Sequence, residues 1–233
     1  MSLWPRREGV SLAQPSQESE PDFAAQRREM IERQLHARGI RDARVLEAML
    51  AVPRHEFVPE KFRGQAYDDK PISIGEGQTI SQPFIVAAMV EAMELKGKEK
   101  VLEVGAGSGY AAAILSRLAA LVYTVESRPN LATAAQERLA RLGFDNVAVH
   151  TGDGSMGLKE AAPFEAILVA AAAPLVPQPL LEQLAEGGRM AIPIGDEQTQ
   201  ELVLVKKLKG EIHSQTLHHC AFVPLVGKYG FTR

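Results

Sequence analysis

VLEVGAGSGY, residues 101–110, runs from an apolar stretch into three alternating glycines and then into an alanine-rich segment. A buried strand that feeds a glycine turn and then a helix is the layout of a nucleotide-cofactor site in an open α/β sheet. Glycine lets backbone N–H groups approach the ligand there, and the helix opens over it. A plain tight turn between strand and helix would use the same residues. Gly105, Gly107 and Gly109 form the turn. A dinucleotide fingerprint needs its third glycine at position 110, where Tyr110 stands, which argues against NAD. A serine nucleophile elbow around Ser108 needs glycine at position 106, where Ala106 stands.

The same alternation extends outward from this turn. Residues 100–104 read as a buried strand and 110–120 as a helix, followed by the strand LVYTVE (121–126) and a helix over 130–142. The strand NVAVH (146–150), the turn TGDG (151–154), the strand FEAILVA (164–170), a helix near 179–184 and the strand RMAIPI (189–194) continue it. Such alternation predicts a doubly wound α/β fold, a mostly parallel seven-stranded sheet with helices on both faces. The segment ELVLVKKLKGEIHSQTLHHCAFVPLVG reads as two strands about the turn at Lys209 and Gly210, so antiparallel pairing closes the sheet at its C-terminal end.

Toward the N-terminus the pattern predicts a helical extension. Residues 22–36 are helical, with Phe23, Met30, Ile31 and Leu35 near one face. A second helix begins at the cap residue Asp42, carries the stripe Val45, Leu46, Met49 and Leu50, and stops at Pro53. Residues 53–82 form a long connection rich in turn formers, which in a compact domain points to function. A helix follows over 83–95 with Phe84, Val86, Met89, Val90 and Met93 inward. Residues 1–21, rich in Ser, Gln, Glu and Pro, predict a disordered tail outside a single domain over 22–233. Within that domain, 22–95 holds the helices and the substrate loop, and 96–233 the cofactor-binding core.

The 233-residue chain with 45% hydrophobic residues supports one sizeable core. A formal charge of −3 gives no general attraction to nucleic acid or anionic membrane, and no run approaches the roughly 20 apolar residues of a membrane span. The first residues lack the continuous apolar core of a secretory signal. The single cysteine, Cys220, excludes an internal disulfide and fits a reducing compartment, so a cytoplasmic location is expected; the chain is expected to be a monomer. His213, His218, His219 and Cys220 lack the paired spacing of a zinc site, and no metal is expected. His55 reads as a local loop partner rather than a base.

Three carboxylates bear on the glycine turn. Glu126 closes the second strand, where an acidic side chain can accept hydrogen bonds from both hydroxyls of a ribose. Asp153, beside Gly154 in TGDG, is either a turn-forming aspartate or a neighbour of an adenine ring. Glu103, inside the first strand, could orient the glycine turn. Farther upstream, GQTISQPF (77–84) sets Ser81 just ahead of a proline-opened helix, which suits helix capping. The same placement would let its hydroxyl face a substrate.

The glycine turn with Glu126 resembles that of the S-adenosylmethionine-dependent methyltransferases. VPRHEFVP, AYDDKPISIGEGQTISQP, VLEVGAGSGY, GDGS, PFEAILVAAAAP, GGRMAIPIG and FVPLVG stand in the order found in protein-L-isoaspartate O-methyltransferases, over about residues 26–229. GQTISQP selects this family among methyltransferases; the pair Asp68-Asp69 and the alanine-rich AAAAP are minor variants.

The resemblance implies S-adenosyl-L-methionine as cofactor, held by Glu103, Gly105, Gly107, Gly109, Glu126, Asp153 and Gly154. It implies isoaspartyl-containing proteins and peptides as partners, bound by Thr79, Ser81, Gln82, Val223 and Pro224, with Ser81 as the catalytic residue. FVPLVG is then an edge that pairs with extended peptide, or simply the last core strand. Methylation of the free α-carboxyl of an isoaspartyl residue makes an ester that closes to a succinimide, part of which reopens as normal aspartate. A methyltransferase acting on a small molecule and a cofactor-binding protein without catalysis are the other classes; GQTISQP separates the first reading from the second, and intact glycines with Glu126 disfavour the third.

Overall fold

The computed structural model describes residues 22–196 and 198–232. The expected tail over 1–21 lies outside them. The first helix, α1 (Phe23–Glu29), is capped by the Asp22 carboxylate, which accepts from Ala25 N at 2.9 Å, and continues as a π-helical turn over Met30–Leu35. In α2 (Ala43–Ala51) Asp42 caps as expected, accepting from Arg44 N at 2.9 Å. Its inward stripe is Val45, Ala48 and Met49, whereas Leu50, expected inside, is 40% exposed.

The connection over 53–82 holds regular structure that its turn-rich composition hides. Two 3-10 turns (Arg54–Phe57 and Glu60–Gln65) lead to a hairpin of β1 (Ile72–Gly75) and β2 (Gln78–Ile80). The bend uses Gly75 (φ 95°), Glu76 (φ 50°) and Gly77 (φ 70°), and the buried Ile72 and Ile80 face each other across the pair. The Glu76 carboxylate at the tip accepts from Asn130 Nδ2 at 3.0 Å, which docks the hairpin on the helix after the second strand of the main sheet. Helix α3 (Pro83–Ala92) follows, with Pro83 through Val90 all buried. A helix apolar all round belongs in the interior of a domain.

The main sheet contains β3 (Lys100–Val104), β4 (Leu121–Glu126), β5 (Val147–Thr151), β6 (Phe164–Val169), β7 (Leu184–Gly195), β8 (Gln200–Leu208) and β9 (Glu211–Cys220), in the order β5-β4-β3-β6-β7-β8-β9. The first five pair in parallel, and β8 and β9 join antiparallel. The helices α4 (Tyr110–Ser116), α5 (Pro129–Arg141) and α6 (Gln178–Gln183) make the crossovers between strands. Among the described residues no helix is long and apolar enough to cross a membrane.

Successive strand residues point to opposite faces, and both faces are covered. Val101, Val122, Ala166, Leu168 and Leu202 join a core under α2, α3, α4 and α5. Leu102, Val104, Ile167, Val169, Met190 and Val205 join a second core with Leu158, Leu180 and Leu225. Burial on both sides explains why these strands read as unbroken apolar runs.

Glu103 is the exception inside β3. It lies on the face of Val101, directly opposite Thr124 of β4, whose hydroxyl donates to its Oε2 at 2.5 Å. Burial pushes its pKa up to about 8, and the nearby Glu126 carboxylate adds to the rise, against the hydrogen bonds from Thr124 and the Ala112 backbone.

In the unfolded chain this carboxyl ionises near 4.5. Between that value and about 8 the folded state therefore holds the extra proton, and stability falls as pH rises. Glu103→Gln keeps the shape and removes the titration. The urea-unfolding free energy of the variant should gain steadily on that of the wild type from about pH 5 to about pH 8. A difference that stays constant across this window would show that Glu103 is already ionised in the folded protein.

Candidate active site

The parallel strands end together at one edge of the sheet, and backbone hydrogen bonds carry the ladder past their ends. Gly105 N donates to Val125 O at 2.8 Å, Gly152 N to Glu126 O at 2.9 Å and Ala170 N to Val104 O at 2.8 Å. The loops after β3, β4, β5 and β6 are thereby held side by side. Gly105 (φ 94°) and Gly107 (φ 51°) occupy backbone conformations that suit glycine. A Cβ on Gly109 would come within 3.2 Å of Leu139 in α5, so the third glycine lets α4 and α5 pack closely.

Glu126 is buried, and its carboxylate fastens this turn. Oε2 accepts from Gly107 N at 2.9 Å and Oε1 from Arg128 N at 3.0 Å. A carboxylate offers about four lone-pair sites, so capacity remains for further donors. Glu103 Oε1 is buried with no protein partner. Both carboxylates, Gly105, Gly107 and Gly154 line one cleft, whose apolar wall includes Val86, Met89, Val104 and Leu168; Gly109, expected at the cofactor, does not line it and instead packs against Leu139 of α5.

Asp153 sits beside this cleft and does not line it. Its Oδ1 accepts from Ser155 N and the Ser155 hydroxyl at 2.9 and 2.6 Å, and its Oδ2 from Lys228 N at 2.8 Å. It caps the short turn Gly154–Met156 and ties down the C-terminal segment. A Cβ on Gly227 would fall 2.0 Å from Asp153 Oδ1, which explains the glycine at that crossing.

A second cleft adjoins the first. Thr79, Ser81 and Val223 line both, Pro224 lines only the first, and Gln82 only the second. Val223 O accepts from Ala172 N at 2.9 Å and Leu225 N donates to Ala172 O at 2.7 Å. Residues 223–225 thus pair with the chain just beyond β6. Arg38 lies in the second cleft, its guanidinium 3.6 Å from the centroid of the Phe84 ring and bonded to Asp69 Oδ2 at 2.6 Å. His218 meets the Phe84 ring edge-on at 5.4 Å. Cys220 also lines it, where burial raises its thiol pKa to about 11 and keeps it protonated.

Ser81 does not cap α3. The cap residue is Gln82, whose side chain makes no cap hydrogen bond and instead donates to Asp69 O at 3.1 Å. The Ser81 hydroxyl has no protein partner among the described residues. The Ser81 carbonyl accepts from Arg54 Nη2 at 2.8 Å.

Two neighbours escaped the sequence reading. Tyr110, noted only as the residue that breaks a dinucleotide fingerprint, is buried against the first cleft with its hydroxyl pKa raised to about 12 by burial. Arg54, in VPRHEFVP, lies beneath Ser81, and its flanking prolines and apolar residues were the available signal. His55 is a local partner as expected, with Nδ1 2.8 Å from the Tyr67 hydroxyl and its ring stacked on Phe23 at 4.1 Å.

The profile of the family described as protein-L-isoaspartate(D-aspartate) O-methyltransferase matches residues 25–230. A protein-L-isoaspartate O-methyltransferase 1 of Syntrophobacter fumaroxidans is 52% identical over 210 residues, covering 90% of this chain and 98% of the relative. A protein-L-isoaspartate O-methyltransferase of a Roseiflexus species is 54% identical over 211 residues, 91% of this chain and 96% of the relative. Among solved structures, one protein-L-isoaspartate O-methyltransferase superposes with a TM-score of 0.77 at 31% identity, covering 88% of this chain and 67% of that one. A Plasmodium falciparum structure, described as a putative protein-L-isoaspartate O-methyltransferase in complex with S-adenosyl-L-homocysteine, superposes with a TM-score of 0.75 at 29% identity, covering 86% and 98%. The chain belongs to the protein-L-isoaspartate(D-aspartate) O-methyltransferase family.

Proposed function

We propose that this chain transfers the methyl group of S-adenosylmethionine to the α-carboxylate of L-isoaspartyl residues in proteins and peptides. The observation that carries the reading is the shared wall of the two clefts. Ser81, with an uncommitted hydroxyl, stands between a cleft floored by glycines and carboxylates and a groove open to a peptide. The first cleft suits the cofactor. Glu126 has acceptor capacity left for ribose hydroxyls, Glu103 Oε1 has no protein partner and is open to a ligand, and the apolar wall suits an adenosyl group. Gly105, Gly107 and Gly154 keep backbone close to it, Gly109 lets α4 pack on α5 behind the turn, and Asp153 holds the Gly154 turn from behind. S-adenosylmethionine supplies an activated methyl group and a neutral thioether leaving group.

The residues of this chain then have a limited task. A backbone α-carboxyl ionises with a pKa of about 3.3–3.7, so the nucleophile exists at neutral pH without a base. What accelerates the reaction is alignment in a partly dry site. Ser81 donates to the carboxylate and orients it, while Thr79 and Gln82 hold the adjoining peptide. Val223 and Pro224, stiff and apolar, close the opposite side of the passage between the clefts. The ester formed is a better leaving group than a carboxylate, so succinimide closure follows without the enzyme.

Paired peptides that differ only in Asp versus isoAsp test the assignment. Labelled methyl should pass to the isoaspartyl peptide and hardly at all to its twin, and equal labelling of both would sink the repair reading.

Ser81→Ala tests the role given to the hydroxyl. Since that hydroxyl makes no cap bond, the variant should unfold at the wild-type temperature and bind S-adenosylhomocysteine with unchanged affinity in calorimetry. Its kcat/KM for the isoaspartyl peptide should drop by about tenfold or more. Wild-type turnover by this variant would leave Ser81 with no part in the chemistry.

A further inference from the structure

Arg54 and Tyr110 are the bulkiest fully buried side chains of the described residues. A buried guanidinium is costly unless paired and hydrogen-bonded. Arg54 donates Nε to Ala66 O at 2.7 Å and Nη2 to Ser81 O at 2.8 Å, and its Nη1 has no partner. Asp69, whose charge reaches it, is itself bonded to Arg38. No carboxylate among the described residues forms an ion pair with Arg54. The guanidinium lies 4.8 Å from the centroid of the Tyr110 ring, a cation–π distance. Arg54 therefore joins the chain just after the 3-10 segment ending at Gln65, the Ser81 loop and the first residue of α4, with Asp69 and the Tyr110 side chain nearby but no carboxylate in direct contact.

We propose that Arg54 is the positioning residue of the methyl-accepting site: its fork fixes the Ser81 backbone, and its unpaired charge draws the substrate carboxylate to that residue. Two carbonyls from loops 15 residues apart in sequence (Ala66 and Ser81) suit a planar fork, which a lysine cannot reproduce. The site attracts an anion without an ion pair that would have to break first. A bonded arginine such as Arg38 lacks this property. An N–H fork applied to the carbonyl of Ser81, not to its hydroxyl, leaves the hydroxyl free to meet the ligand.

The inference rests on the repair reading, so wild-type turnover of the isoaspartyl peptide is the reference; a wild type that fails to methylate it refutes that reading and not the role of Arg54. Arg54→Lys keeps the charge and loses the fork, and Arg54→Gln loses both. Both variants should bind S-adenosylhomocysteine within about threefold of wild type, since cofactor contacts lie elsewhere. Arg54→Gln should raise KM for the isoaspartyl peptide by about tenfold and lower kcat. Arg54→Lys should keep KM within about threefold while kcat falls about tenfold. A folded, cofactor-binding Arg54→Gln with wild-type KM and kcat overturns the proposal, as does Arg54→Lys with the KM of Arg54→Gln.

A measurement on the wild type covers the case in which neither variant folds. In arginine-labelled enzyme saturated with S-adenosylhomocysteine, the Nε–H resonance of Arg54, protected from exchange by burial, should shift on adding the isoaspartyl peptide and stay in place with the aspartyl twin. An Nε–H signal indifferent to both peptides overturns the proposal.

Discussion

The two backbone hydrogen bonds accepted by Glu126 set the geometry of the site. One oxygen holds Gly107 N in the turn after β3, and the other holds Arg128 N at the entry to α5. A single carboxylate thus fixes the turn between β3 and α4 to the end of β4. Charge-assisted bonds of this kind are roughly twice as strong as neutral ones. The backbone bonds from Gly105, Gly152 and Ala170 extend the same lock to the neighbouring loops. With the loops held, the cleft is a consequence of where parallel strands stop and which residues there lack a Cβ.

Placing that carboxylate at the sheet edge constrains its surroundings. Glu103 projects from the same face one strand away, and two buried acids so close do not both ionise readily. Glu103 responds by keeping its proton, which lets a carboxyl remain in the core beside Thr124. The first cleft therefore carries two carboxyl groups with one charge held back. Toward the second cleft the signs reverse, because Arg54 lies without a carboxylate partner beneath the Ser81 loop and Arg38 lines the groove. The division suits a reaction that brings a sulfonium cation to a carboxylate, with one partner entering from each cleft.

Much of this was legible in the sequence because it follows from local chemistry. Glycines at alternate positions after KVLEV mark the turn, apolar strands mark a sheet covered on both faces, and Lys209-Gly210 marks the antiparallel end. The hairpin at 72–80 was not legible, since β2 is a strand of only three residues and its bend depends on Glu76, a non-glycine residue at positive φ. Leu50 was assigned to the core by helical spacing, but the inward face of α2 is completed by Ala48. Asp153 had two readings, and its partner Lys228 lies 75 residues away, a distance over which sequence patterns say nothing. Arg54 was hidden for a related reason. Its partners are backbone carbonyls, which every residue has, so no complementary side chain advertises the contact.

At Ser81 the structure removes one of two chemically sound readings, the helix cap. A serine ahead of a proline-opened helix suits a cap, and capping needs no ligand at all. In this fold the helix opens differently. Pro83 at the first position has no N–H to satisfy, Gln82 takes the cap position, and Val86 N bonds back to Gln82 O at 3.3 Å. The serine falls one residue too early to serve the helix, and its carbonyl is claimed by Arg54. What remains is a hydroxyl with no protein partner among the described residues, at the wall between two clefts. On the proposed reading, such a hydroxyl can meet an incoming anion without first giving up an intramolecular bond.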